Sequence, residues 1–262
     1  MKPDLTYLSL GAGVQSTALW LCSMAGLHNV PYCDVAIFAD TGHEPAWIYD
    51  HVEWMKSLSP IPIHTVSNGT ISGDLKARLE GSPKSWKSIP AFSNSGDGML
   101  RRQCTSEYKI TPIYREVRKL LGLKPYQRFK GTVLNLQGIS YDEILRMKPS
   151  RVNWIENVYP LIDAGLDRQD CIDLLKEWDF PVPGKSACVF CPYHSDAYWK
   201  DLKEHAPEEF QNAVDMEHQL QNMDKIGLNK AFLHKSCIPL DQVEFTDRGE
   251  GFISECDGYC GV

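Results

Sequence analysis

Apolar runs and the residues that interrupt them split the N-terminal half into short and long segments in turn. Leu5 to Leu10 is a short run of β-leaning residues, broken by Gly11 and Gly13, and a helix-compatible apolar run follows from Thr17 to Ala25. Asp34 to Ala39 predicts a buried strand ending in the polar cluster Asp40-Thr41-Gly42. Pro45 suits the first turn of a helix over Ala46 to Leu58, and Ile61 to Val66 predicts a third strand. Strands and helices in alternation are the pattern of an α/β fold: a doubly wound, mainly parallel sheet with helices on both faces. Ligands of such sheets lie beyond the carboxyl ends of the strands, which would bring the glycine turn and the Asp-Thr-Gly cluster to one crevice.

Downstream the pattern loosens. Asn68 to Gly98 is rich in Gly, Ser, Pro and Lys and predicts a long loop of the kind that forms lids, with one short helix near Leu75 to Leu79. A helix is expected from Pro112 to Leu121, a strand from Thr132 to Ser140 and an extended piece from Asn157 to Leu161. Leu166 to Trp178 predicts a helix capped by Asp167, and Asp196 to Leu202 and Pro207 to Met223 predict two more. The expected division is an α/β domain over residues 1–165 and a helical, cysteine-containing C-terminal extension over 166–262.

The glycine turn is the first candidate site. A strand, a glycine turn and a helix start leave backbone N–H groups pointing outward with the positive end of the helix dipole behind them. That arrangement binds anions, phosphate above all. In the turn Ser9-Leu-Gly11-Ala-Gly13-Val14-Gln15-Ser16-Thr17, the glycines permit close approach, and Ser9, Gln15, Ser16 and Thr17 add neutral donors. The alternative is an ordinary βα turn whose glycines serve backbone geometry alone. The ending of a Walker loop and the spacing of the dinucleotide fingerprint are both absent.

Composition narrows the class. A chain of 262 residues with 43% hydrophobic and 23% charged residues is that of a soluble globular protein. No apolar run reaches the roughly 18–20 residues of a membrane helix, so no membrane partner is expected. The N-terminus leads straight into a strand without a signal peptide, which points to the cytoplasm. In a reducing compartment nine cysteines do not form a disulfide framework. The net charge of −7 is unevenly laid out: Lys76 to Arg151 holds sixteen Lys and Arg against six Asp and Glu, and the rest eleven against twenty-eight. A basic middle in an acidic chain is a footprint for a polyanion, or else two solvated faces of opposite sign.

The cysteines cluster. Cys188-Val-Phe-Cys191 before a proline is a two-thiolate claw for a soft metal or a redox dithiol. Cys104 follows Arg101 and Arg102, whose charge favours a thiolate, and Cys256 and Cys260 lie at the end of the chain. Cys22, Cys33 and Cys171 fall in apolar surroundings and read as structural. His43, near Asp40, is expected to face the crevice, and His194 is a candidate fourth metal ligand.

Four stretches together resemble the phosphoadenosine phosphosulfate (PAPS) reductase family, within the adenine nucleotide α-hydrolase-like, PP-loop superfamily. Leu8-Ser-Leu-Gly-Ala-Gly-Val-Gln-Ser16 is similar to its phosphate loop, and Phe38-Ala-Asp40-Thr-Gly42-His-Glu-Pro45 to its Asp-Thr-Gly segment. Arg101-Arg-Gln-Cys104 with Lys109-Ile-Thr-Pro112 resembles the Cys-Cys…Arg-Lys-x-x-Pro stretch of the cluster-bearing reductases, and Cys188-Val-Phe-Cys191 their later Cys-x-x-Cys. Gln103 stands where those enzymes have a first cysteine, and the tail keeps Glu255-Cys256 but not the residues that follow it in the family.

The resemblance implies ATP or a related adenine nucleotide, with Mg²⁺, at Ser9, Gly11, Gly13, Val14, Gln15, Ser16, Thr17, Asp40 and Gly42. It implies anion contacts from Arg101, Arg102 and Lys109. Cys104, Cys188, Cys191 and Cys260 would hold a 4Fe–4S cluster or Zn²⁺, with Cys256 as a sulfur-handling nucleophile. The implied reaction is adenylation of a substrate with pyrophosphate release, linked to sulfur transfer, with a nucleic acid or a sulfur-donor protein as partner. The alternative is reduction of a sulfonucleotide to sulfite, Cys256 attacking sulfur and a thioredoxin-like reductant closing the cycle. A third reading is a non-catalytic nucleotide- or nucleic-acid-binding component of a modification or defence complex. A homo-oligomer is left open.

Overall fold

The apolar runs of the N-terminal half become neighbouring parallel strands. A computed structural model describes residues 2–83, 88–93 and 98–247. In chain order the elements are β1 (Leu5–Leu10), α1 (Val14–Ala25), β2 (Val35–Ala39), α2 (Ala46–Leu58), β3 (Ile63–Val66), α3 (Ile71–Leu79) and β4 (Phe92–Ser93). They continue as α4 (Thr111–Leu120), β5 (Val133–Gln137), β6 (Ile155–Val158), α5 (Pro160–Asp163), α6 (Arg168–Glu177), α7 (Asp196–His205), α8 (Pro207–Gln221) and β7 (Ala231–Phe232). Cys256 and Cys260 lie outside the described residues.

The main sheet has the order β3-β2-β1-β5-β6, parallel throughout. The inner strands β1 and β2 are buried on both faces, which is why they read as apolar runs. Leu8, Leu10, Ala36, Phe38 and Leu136 point to one side, where α1, α2 and α6 pack on them. Tyr7, Val35, Ile37, Val133 and Ile155 point to the other, against Val117 of α4. This is an α/β fold with helices on both faces of a parallel sheet. A second core joins Ile71 and Leu75 of α3, Tyr108, Phe190, and the inner faces of α7 and α8. The two cores interleave along the chain, because α6, beyond residue 165, belongs to the first, and α3 and Tyr108, before it, to the second.

Several elements differ from the sequence expectation for identifiable reasons. Helical structure begins at Thr105, well before Pro112, as a widened turn over Thr105–Ile110 that runs into α4. Pro112 has no N–H to donate, and a widened turn accommodates the missing bond; Thr111 Oγ1 donates to Ser106 O at 2.7 Å inside it. Helix α3 starts at Ile71, four residues early, because the Thr70 hydroxyl caps it by accepting from Gly73 N at 3.2 Å. The strand expected to reach Ser140 stops at Gln137, ahead of Gly138, and Pro160 opens a short helical turn instead of continuing β6. Asp167 caps α6 as expected: its carboxylate accepts from Asp170 N, and Asp170 returns the bond to Asp167 N, both at 2.9 Å. Among the described residues no helix is long and apolar enough to cross a membrane.

Candidate functional site

Strand order reverses at β1, whose neighbours are β2 on one side and β5 on the other. In a doubly wound sheet that is where a crevice opens beyond the strand ends. Here the turn from β1 into α1 stands at its edge. Ala12 takes the left-handed conformation (φ +59°), Gly13 is extended (φ −89°, ψ −178°), and no side chain caps α1. The first N–H groups of α1 are therefore left to an anion or to solvent.

The side chains of this turn point elsewhere. Thr17 is fully buried; its Oγ1 donates to Gly13 O at 2.9 Å and lies 3.0 Å from His51 Nε2. Ser16 Oγ turns back to Gly13 O at 3.2 Å. Gln15 is buried between Ser140 and Arg168, which donates to its Oε1 at 3.1 Å. Val14 is buried in the core. Of the sequence-predicted nucleotide set, Ser9 and Gly11 line the crevice, while Val14, Gln15, Ser16 and Thr17 brace the turn that frames it.

The crevice has a volume of about 1200 Å³ counted out to its open mouth. Its floor is the ends of β1, β2, β5 and β6, and Lys109, Tyr114, Lys148 and Arg151 stand along its walls. A polar ladder crosses the floor: Ser9 Oγ donates to Asn135 Oδ1 (2.9 Å), Asn135 Nδ2 to Asn157 Oδ1 (2.9 Å), and Asn157 Nδ2 to Lys148 O (3.0 Å). Beside it Gln137 is buried with its Oε1 unpartnered among the described residues. A buried acceptor left unsatisfied is costly, and the side chain that carries it lines the crevice.

Asp40 and Gly42 form a turn outside the crevice walls. Asp40 Oδ1 accepts from Gly42 N at 2.7 Å and from Tyr49 Oη at 2.8 Å. Gly42 is left-handed (φ +75°), and a Cβ there would sit 2.6 Å from Thr70 Cγ2. The expectation that His43 faces the crevice is corrected. It packs on the Phe190 ring (centroids 4.6 Å apart), and its Nε2 accepts from Ser72 N at 3.3 Å at the start of α3. Burial lowers its pKa to about 4, against a smaller opposing pull from Asp40.

Cys104, Cys188 and Cys191 meet around a second, smaller cavity with Arg102, Lys109 and Thr41 in its wall. The Cys-x-x-Cys turn is tight, with Cys191 N donating to Cys188 O at 2.9 Å, and Cys188 Sγ lies 3.2 Å from Thr41 Oγ1. Lys109 pairs with the buried Glu44 at 3.2 Å, so its charge is already matched. Arg102 donates to Thr105 Oγ1 at 2.7 Å, whereas Arg101 is exposed and lines neither space. His194 stacks on Tyr198 and its Nε2 lies 2.9 Å from Cys188 O, which spends that nitrogen on the backbone and not on a metal.

In kind, three thiols opening on one cavity are a donor set for a soft metal or a cluster. In placement, no three His, Cys, Asp or Glu among the described residues are grouped to hold one ion. Burial, with the nearby Glu44 carboxylate, pushes the Cys188 thiol well above the ordinary range. In metal-free protein the iodoacetamide reaction of Cys188, followed by peptide mass spectrometry, is expected to quicken about tenfold per pH unit from 7 to 10, because only the thiolate reacts. A plateau near pH 8 would contradict that assignment.

Residues the sequence reading missed are Asn135, Gln137, Asn157, Lys148 and Arg151, which line the crevice from strands and a loop far down the chain. The available signal was the polar pair Asn135 and Gln137 inside an otherwise apolar strand.

No protein-family model matches the chain. No curated protein matches it either. Solved structures with a similar fold include the phosphoadenylyl-sulfate (PAPS) reductase of Candida auris in a phosphate complex. It is 18% identical over 68% of this chain and 75% of that one, with a TM-score of 0.44. They also include the U34-tRNA thiolase NcsA of Methanococcus maripaludis with its 4Fe–4S cluster, 11% identical over 97% of this chain and 78% of that one, with a TM-score of 0.42. Both are similarities of fold.

Proposed function

We propose that the chain binds ATP or a related adenine nucleotide in the crevice and uses it to activate a substrate by adenylation, in a reaction linked to sulfur transfer at the thiol cavity. One observation carries this reading: the crevice and the thiol cavity share a wall, formed by Thr105 and Lys109. An activated intermediate made in the first would lie one side chain away from sulfur chemistry in the second.

In this reading a substrate oxygen attacks the α-phosphorus, its P–O bond forms as the bond to pyrophosphate breaks, and pyrophosphate leaves with the electron pair. A sulfur nucleophile then displaces AMP. The N–H groups at the start of α1 meet the phosphate charge, as preorganised dipoles do without reorganising during the step. Gln137 Oε1 accepts from an N–H or O–H of the nucleotide, and Lys148 and Arg151 draw the anion in. Mg²⁺, when bound with the nucleotide, would supply charge that offsets the phosphates. Cys104, Cys188 and Cys191 are soft donors of the kind an iron–sulfur cluster or Zn²⁺ takes, but as placed they are not grouped to hold one, and no step of this reading passes through such a group.

The test is a pair of measurements on anaerobically purified protein: ATP affinity by calorimetry, and sulfite release from phosphoadenylyl sulfate with excess dithiol. ATP binding is expected, weakened about fivefold or more in Gln137→Leu through loss of one hydrogen bond. Sulfite release that vanishes in Cys256→Ser, with no ATP binding, would replace this reading by sulfonucleotide reduction.

A further inference from the structure

We propose that the basic face beside the crevice is a track for a single-stranded nucleic acid, with a base stacked on Tyr126. This rests on the reading above in one respect only: it makes that strand the acceptor of the activation step.

The loop over residues 124–130 carries Lys124, Arg128 and Lys130, all exposed, and no Asp or Glu occurs between residues 117 and 141. In a chain of net charge −7 that is a local reversal of sign, and one that a polyanion would select. Glu116, the nearest acidic side chain before it, is already engaged by Lys119 and His64.

Tyr126 stands at the tip. Its side chain is 100% exposed, and its backbone is left-handed, φ +62°. That conformation strains any residue with a Cβ, and an exposed ring returns no packing for it. The tip is nonetheless built. Arg118 Nη2 donates to Lys124 O (2.7 Å) and to Gln127 O (3.0 Å), and Lys124 N donates to Gln127 Oε1 (3.0 Å). A held turn that presents a bare aromatic ring between cations matches a ligand carrying both phosphates and planar bases. An unpaired base is required, because bases within a duplex are already stacked.

The loop is continuous with the crevice. Phe129 meets Trp154 edge to face, with centroids 5.3 Å apart, and Trp154 meets Tyr114 at 5.8 Å. Tyr114 is itself a crevice wall, as are Lys148 and Arg151. A strand held at Tyr126 would therefore reach the crevice mouth across one layer of side chains.

The experiment is fluorescence anisotropy on the full chain with a fluorescein-labelled 12-nucleotide oligoribonucleotide of mixed sequence, its duplex, and polyglutamate. The single strand is expected to bind with an affinity that falls with salt. Reversing three charges, in Lys124→Glu with Arg128→Glu and Lys130→Glu, is expected to flatten the log–log salt slope by about 2. Tyr126→Gly should weaken binding about tenfold while raising Tm by about 2 °C, since glycine relieves the left-handed strain. No binding by the wild type, unchanged affinity in Tyr126→Gly, or equal affinity for duplex or polyglutamate would each overturn the proposal. ATP calorimetry on the same variants separates the two readings. Oligonucleotide binding without ATP binding leaves the track standing and removes the activation reading, and the reverse result removes the track alone.

Discussion

Acidification from pH 6.5 to 4 is expected to remove several kcal/mol of stability, because one buried and one half-buried histidine are held in neutral form. His51 is 6% exposed, and burial lowers its pKa from 6.5 to about 4; the same cause brings His43 to about 4. Both contacts of Thr17 are met when its one hydroxyl hydrogen goes to Gly13 O and neutral His51 donates from Nε2, while its ring stacks on Trp54 at 5.2 Å. In the unfolded chain each imidazole takes up a proton near pH 6.5 and in the folded chain only near pH 4, so the unfolded state binds more protons between those values. Stability is therefore fully present above pH 6.5 and is lost as the pH falls toward 4, by on the order of 3 kcal/mol per histidine. Urea unfolding at pH 7.0, 5.5 and 4.5 measures it. His51→Phe keeps the ring packing, sacrifices one hydrogen bond, and should halve the pH dependence. An equal slope in wild type and variant would show that His51 is not the titrating group.

The same residues show what the sequence could and could not convey. Strands β1 and β2 and helix α2 were legible because apolar runs bounded by Gly and Pro are local signals, and both sheet faces are buried. The widened turn at Thr105–Ile110 was not legible. It follows from Pro112 denying a bond to the preceding turn and from Tyr108 being pulled into the second core, where its hydroxyl donates to Asp74 at 2.6 Å. Helix α3 was only half legible, since Ser72, Gly73 and Asp74 are poor helix formers and burial of Ile71 and Leu75 overrides them.

For the candidate site, the glycine turn and the gathering of Cys104 with Cys188 and Cys191 were visible as motifs. Which side chains face the space was not. Thr17 and Gln15 look like donors in a linear motif, but helical geometry turns them toward α2 and α6, where His51 and Arg168 meet them. Asn135 and Asn157 become crevice residues only through the parallel register that sets β5 beside β1 and β6. The β1–β5 pairing joins residues over a hundred positions apart, beyond the reach of any local pattern.

The glycine that the anion turn depends on most is expected to be Gly138, with Gly11 and Gly13 dispensable for folding. A Cβ on Gly138 would sit 2.7 Å from both the backbone N and the Cα of Ser16, in the first turn of α1. Backbone atoms cannot rotate aside as a flexible side chain can, so either the end of β5 or the helix start must move. Overpacking of this kind costs about 1–3 kcal/mol, or roughly 5 °C in a chain of this size. It would also shift the very N–H groups offered to the anion. A Cβ on Gly13 would meet Ser186 Cβ at 3.4 Å, an ordinary contact, and one on Gly11 would find nothing nearer than 3.8 Å. Neither has the left-handed backbone that glycine favours; that falls to Ala12. Gly138→Ala is thus expected to lower Tm and ATP affinity together. Gly11→Ala and Gly13→Ala should leave Tm within about 1 °C and act on affinity alone, where a methyl group would meet an incoming phosphate. Scanning calorimetry with ATP titration of the three variants decides the matter. Loss of Tm in Gly13→Ala with none in Gly138→Ala would mean that the turn is braced from the other side, through Ser186, whose hydroxyl donates to Gly11 O.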